Sequence, residues 1–127
     1  MKRLFAWLLT LIGMTTACGQ QHYENKNVEG FDSLIADTSV VVLDVRTAEE
    51  FAESHLPNAV NIDVKQETFM EKAKALLPVD RTIAVYCRSG RRSAQAAGQL
   101  AEEGYKCVNL LGGILAWKAM GKECTPN

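Results

Sequence analysis

The 127 residues carry 14 Lys+Arg against 15 Asp+Glu, a net charge of −1, with 47% apolar and 23% charged residues. That is the profile of one soluble, core-forming domain. It excludes a disordered chain, a collagen-like repeat and a multispan membrane protein, and it lacks the basic excess of a nucleic-acid binder. The four cysteines, Cys18, Cys87, Cys107 and Cys124, are too few for a disulfide scaffold.

The chain opens with a composition break. Residues 4–14, LFAWLLTLIGM, are apolar, stand behind Lys2 and Arg3, and no acidic residue occurs before Glu24. A basic start, a short apolar stretch and the small residues Thr15, Thr16 and Ala17 predict an export signal over 1–17. The stretch is shorter than the about 20 apolar residues needed to span a bilayer. Cys18 after Ala17 resembles the lipobox of bacterial lipoproteins, although Thr15 stands where a Leu-like residue is usual. The expectation is a chain cut before Cys18, acylated there, and held on the periplasmic side of a bacterial membrane. Losing Lys2 and Arg3 takes the net charge from −1 to −3. Residues 18–27 are polar and read as a tether.

A domain is expected over 28–120. VEGFDSLIAD places Val28, Phe31, Leu34 and Ile35 on one helical face. SVVVLDV (39–45) is a β-branched run, as in a strand buried on both faces. Thr47 and Glu50 have the spacing of a capping box. Pro57 and Asn58 break the chain before the short apolar piece AVNI (59–62). QETFMEKAKALL (66–77) sets Phe69, Ala73, Leu76 and Leu77 on one face, and Pro78 stops that helix. TIAVY (82–86) reads as a second central strand. A helix over about 92–103 follows, with Ala94, Ala97, Gly98 and Ala101 as a small-residue face and Gly104 as its C′ residue. KCVNL (106–110) is a third strand, then Gly112-Gly113 and a last helix, ILAWKAM. Residues 121–127 form a polar tail. Strands separated by helices predict an α/β sheet of parallel strands.

In such a sheet, chemistry collects at the carboxyl ends of the strands. Cys87 lies there, followed by Arg88-Ser89-Gly90-Arg91-Arg92 and a helix start. Backbone amides, the positive helix end and three arginines favour an anion and raise the thiolate fraction of Cys87. A sulfur nucleophile that keeps a covalent adduct cradled in the loop fits this pattern. His22 and His55 stand apart from any catalytic grouping and read as structural.

LDVRTAEEF (43–51), SHLPNAVNI (54–62), VYCRSGRRS (85–93) and LLGGILAW (110–117) together resemble the single-domain rhodanese (sulfurtransferase) family. The resemblance implies an α/β fold with a central parallel sheet of five strands and helices on both faces. It implies a Cys87 persulfide, loaded from a small anionic donor such as thiosulfate and unloaded by a thiol or cyanide. In that reading the loop Cys87–Arg92 (Arg88, Ser89, Gly90, Arg91, Arg92) holds the persulfide and donor, and Asp44 and Arg46 support the site. No cofactor or metal is implied, and a monomer is expected. Gly is common in the family where this chain has Ser54 and Asn58, so the turns there are where it departs.

Dual-specificity phosphatases and arsenate reductases, which share the fold, have a loop one residue longer and an arginine six positions after the cysteine. Here Ser93 holds that position, which favours sulfur over phosphoryl transfer. A sulfur carrier or binding module without efficient turnover is the remaining alternative. Cys107 and Cys124 could pair in an oxidising compartment, or Cys124 could resolve the Cys87 persulfide.

Overall fold

The computed structural model describes residues 22–126. The export signal and the acylation expected at Cys18 lie outside the described residues. Five strands, β1 (Glu24–Lys26), β2 (Val41–Asp44), β3 (Val60–Asn61), β4 (Ile83–Tyr86) and β5 (Cys107–Leu110), alternate with five helices. The helices are α1 (Val28–Ile35), α2 (Ala48–Glu53), α3 (Phe69–Leu76), α4 (Arg91–Glu102) and α5 (Gly113–Ala119). The sheet runs β1-β5-β4-β2-β3 with every pair parallel. This is the expected five-stranded parallel sheet.

The fifth strand came from an unexpected place. β1 occupies part of the stretch read as tether and pairs with β5, Glu24 opposite Val108 through Lys26 opposite Leu110. Its three residues are too polar and too short to signal a strand; the exposed edge of β5 recruits their backbone. Asn27 then caps α1 by accepting from the Gly30 N–H at 2.9 Å.

Side chains alternate across the central strands and divide the core in two. Leu43, Val45, Ile83, Val85, Cys87 and Cys107 join Phe69, Ala73, Ala96, Ala97 and Leu100 beneath α3 and α4. Val42, Ala84, Tyr86, Val108 and Leu110 join Phe31, Leu56, Ile114 and Trp117 on the side of α1 and α5. Each fully buried Leu, Ile, Val or Phe contributes roughly 1.5–3 kcal/mol of transfer free energy, so both faces are needed for a domain this small.

Two helical faces differ from expectation. On α4, Ala97 is buried as expected, but its neighbours on that face are Ser93, Ala96 and Leu100. Gly98 is not part of it, and a Cβ there would meet open space. The helix starts one residue earlier than the composition suggests, and its large Leu100 outweighs the alanines in setting the rotation. On α3, Phe69 and Ala73 are buried and Leu77 follows them inward, whereas Leu76 is 61% exposed because the helix stops there, ahead of Pro78.

The possible Cys107–Cys124 pairing is not made: both are free thiols. Cys107 points into the α3/α4 core and Cys124 packs against the α1/α5 core, so the sheet stands between them. The tail holding Cys124 is folded, not loose. His55 and Thr125 exchange two backbone hydrogen bonds of 2.7 Å, and the Trp117 indole donates to the Glu123 carbonyl at 2.8 Å.

Candidate active site

Cys87 directly follows β4, the middle strand of the five, at the carboxyl edge of the sheet. Its side chain is 1% exposed. Gly90 takes φ +108 and serves as N-cap of α4. That left-handed turn brings the Gly90 N–H to 3.1 Å from the Cys87 Sγ. The buried Ser93 hydroxyl donates to the same sulfur at 3.3 Å. Burial alone would push the Cys87 thiol up. The Ser93 hydroxyl and the amides of Ser93, Gly90 and Ser89 outweigh it, and the pKa falls below the ordinary thiol value.

The amides converge because the loop carbonyls are claimed elsewhere. The first turn of α5 donates from Ile114 N–H to the Cys87 carbonyl at 2.9 Å and from Leu115 N–H to the Arg88 carbonyl at 3.2 Å. Such an approach requires glycine. A Cβ on Gly113, which has φ +60, would lie 2.3 Å from the Arg88 carbonyl oxygen and 2.6 Å from that of Cys87.

The three arginines separate. Arg88 and Arg91 are exposed, and among the described residues neither enters an ion pair. Arg92 is held by Glu50, Nη1 to Oε1 at 2.8 Å and Nη2 to Oε2 at 3.0 Å. The same carboxylate closes the expected capping box of α2, accepting from the Thr47 N–H at 3.1 Å while Thr47 Oγ1 accepts from the Glu50 N–H at 3.2 Å. Arg92 is the first cause that draws the Glu50 carboxyl down to about 2.

Asp44 and Arg46 form a buried strut behind the loop. Arg46 Nη2 donates to Asp44 Oδ2 at 2.6 Å and to the Ser54 carbonyl at 2.7 Å. Tyr86 donates its hydroxyl proton to Asp44 at 2.6 Å and accepts from the Leu56 N–H at 3.0 Å. Burial opposes the Arg46 charge, but the hydrogen bonds and charge of Asp44 keep its pKa above the usual value. Burial and the Asp44 carboxylate likewise push the Tyr86 phenol up, so it acts as a fixed donor. The network spans β2, β4 and the turn after α2.

The two departures near Pro57 are accommodated. Asn58 adopts φ +65, the left-handed state that asparagine tolerates best after glycine. Ser54 is extended at φ −172 and has no need of glycine. His55 stacks on Phe51 with centroids 3.8 Å apart and bonds the Phe51 carbonyl through Nδ1 at 2.8 Å, a structural role as expected.

A rhodanese-like domain family model matches residues 27–120. The chain belongs to the rhodanese-like family. A sulfurtransferase of Allochromatium vinosum is 37% identical over 95 residues, covering 73% of this chain and 86% of that protein. The thiosulfate sulfurtransferase GlpE of Coxiella burnetii is 36% identical over 88 residues, covering 68% of this chain and 78% of that protein. The crystal structure of a rhodanese-related protein from Thermoplasma volcanium superposes with a TM-score of 0.74 at 31% identity, over 83% of this chain and all of that one. These relatives support a sulfurtransferase of the rhodanese type.

Within this rhodanese-like domain, Ser89 and Gly90 turn their amides to Cys87, and Arg92 lies within charge range of it, while Arg88 and Arg91 stand exposed in the same loop. Sequence reasoning missed Ser93, Gly113, Tyr86 and the second use of Glu50. Ser93 was visible only as the position where a phosphatase would carry arginine. The Gly112-Gly113 pair was visible as a turn, without a sign that the turn presses on the Cys87 loop.

Proposed function

We propose that the chain transfers a sulfane sulfur from a small anionic donor such as thiosulfate to a thiol or cyanide, through a persulfide on Cys87. The observation that carries this reading is the Cys87 sulfur held at the mouth of α4 by the Gly90 amide and the Ser93 hydroxyl, with Arg88 and Arg91 exposed in the same loop. The Cys87 thiolate attacks the outer sulfur of thiosulfate, a new S–S bond forms, and the old one breaks with its electron pair leaving on sulfite. The persulfide carries the negative charge into the ring of amides and the positive helix end. An acceptor thiolate or cyanide then attacks the terminal sulfur, leaves as a persulfide or thiocyanate, and returns the Cys87 thiolate.

A sulfur adduct suits this loop better than a phosphoryl group. Ser93 occupies the place of a phosphate-clamping arginine and is itself buried against the sulfur. The test is thiocyanate formation from thiosulfate and cyanide, together with intact mass after thiosulfate alone. The wild type should turn over and gain the mass of one sulfur atom; Cys87→Ala should do neither. Activity surviving in Cys87→Ala removes the mechanism. Turnover of an aryl phosphate without thiocyanate formation puts the phosphatase reading in its place.

From the basic start, apolar stretch and Ala17-Cys18 alone, we further propose a monomer on the periplasmic side of a membrane, acylated at Cys18. Because β1 begins at Glu24, only a few residues would separate lipid from sheet. Incorporation of a labelled fatty acid, lost in Cys18→Ser, tests that placement.

A further inference from the structure

Three arginines in six residues suggest three donor contacts, but the geometry separates one from the others. Arg91 and Arg92 open α4 at the positive end of its dipole, where basic residues are unfavourable and where the helix has no acidic residue of its own. Glu50 supplies the missing carboxylate from across the site. Both of its oxygens face Arg92 at 2.8 and 3.0 Å, and the pair is only partly open to solvent. The arrangement is planar and bidentate, which fixes the guanidinium's direction as well as its charge. Glu50 is in turn fixed by the Thr47 N–H and hydroxyl, each at 3.1 Å from Oε1. It stands at one end of a chain of contacts running from the α2 cap to the Cys87 loop.

We propose that Glu50 is a specificity-determining residue: by clamping Arg92 it withdraws one cation from the donor anion and leaves Arg88 and Arg91 to bind it. The clamp cancels the charge of Arg92 at the loop and turns its side chain into a brace for the first turn of α4. Donor binding is thereby set to a weaker anion preference than three free arginines would give. This rests on the proposal that Cys87 receives sulfur from an anion. The electrostatic claim can nonetheless be read without turnover.

The experiment compares alkylation of Cys87 by anionic iodoacetate and neutral iodoacetamide, followed on the Cys87 peptide. The ratio of the two rates cancels any change in thiolate fraction. Glu50→Gln keeps a capping-box residue at its position, so α2 retains its cap. It should raise the iodoacetate-to-iodoacetamide ratio about threefold to tenfold, the effect of one uncancelled charge within a Debye length. Glu50→Met, which cannot hold Arg92 through an amide oxygen, should raise it at least as much. Adding Arg92→Gln to either variant should remove the rise. With thiosulfate, the KM of Glu50→Gln should fall by a similar factor while kcat changes little, and the KM for a neutral organic trisulfide should stay put.

An unchanged or lowered alkylation ratio in both folded Glu50 variants overturns the proposal. So does a rise that survives loss of Arg92. A wild-type protein that transfers no sulfur from either donor sinks the sulfurtransferase reading, while the alkylation ratio still decides the role of Glu50.

Discussion

Gly113→Ala is the sharpest probe of how the fold builds the site. The added methyl would meet the Arg88 carbonyl oxygen at 2.3 Å, its carbon at 2.4 Å and the Cys87 carbonyl oxygen at 2.6 Å. All three are backbone atoms, so no side chain can swing aside. Either α5 withdraws or the loop moves by about 1 Å, and both break the hydrogen bonds from Ile114 and Leu115. Two such bonds at about 1 kcal/mol each, plus about 1 kcal/mol for alanine in the left-handed region, give a loss of roughly 3 kcal/mol. A shift of that size at the nucleophile should cost about 100-fold in kcat/KM. Urea unfolding measures the first quantity and sulfur transfer the second. Gly98→Ala is the control, because its Cβ finds open space inside α4 and should stabilise by about 0.5–1 kcal/mol. If Gly113→Ala unfolded within about 0.5 kcal/mol of the wild type and kept activity within about threefold, the claim that α5 shapes the loop would be refuted.

Other outcomes follow from the same contacts. Ser93→Ala removes the hydroxyl that donates to Cys87, so the thiol pKa should rise and iodoacetamide alkylation at neutral pH should slow by roughly three- to tenfold; a pH profile of alkylation checks the direction. Tyr86→Phe strands the Asp44 carboxylate and the Leu56 amide and should cost about 2 kcal/mol in urea unfolding, with Cys87 still reactive. Glu50 is held at about 2 in the fold against an ordinary 4.5, so the unfolded chain takes up its proton first as pH falls. The stability from the Arg92 clamp is therefore complete above about pH 4.5 and lost on the way to about pH 2; the wild type should fall towards Glu50→Gln across that window, and parallel curves would speak against the pair. Burial pushes the Cys107 thiol up to about 12, so it should alkylate only on unfolding, long after Cys87, and early labelling of Cys107 would contradict its packing.

Much of the fold is legible in the sequence because local chemistry suffices. Buried parallel strands read as continuous β-branched runs, as at Val40 to Val42. The Thr47–Glu50 box and Gly104 mark helix ends by residue types that few other positions require. Cys87 and Gly90 are three residues apart, so the meeting of the Gly90 amide with the sulfur is a property of one turn. The polar β1 was illegible because its only reason to be a strand is the β5 edge beside it, 84 residues away at the Asn25–Asn109 pair. The rotation of α4 was misjudged for a related reason: its alanines look alike from within the helix, and the sheet chooses among them.

The order of elements, the place of the nucleophile and the charge collected around it are written in the chain itself, since each depends on neighbours within one turn or one period. Only the tertiary structure decided which groups reach that nucleophile. Gly113 meets the Cys87 loop, Glu50 holds Arg92 in a bidentate pair, and Cys107 and Cys124 end on opposite faces of the sheet. Each is settled by packing between elements distant in the chain, and pattern and propensity act over shorter distances than that.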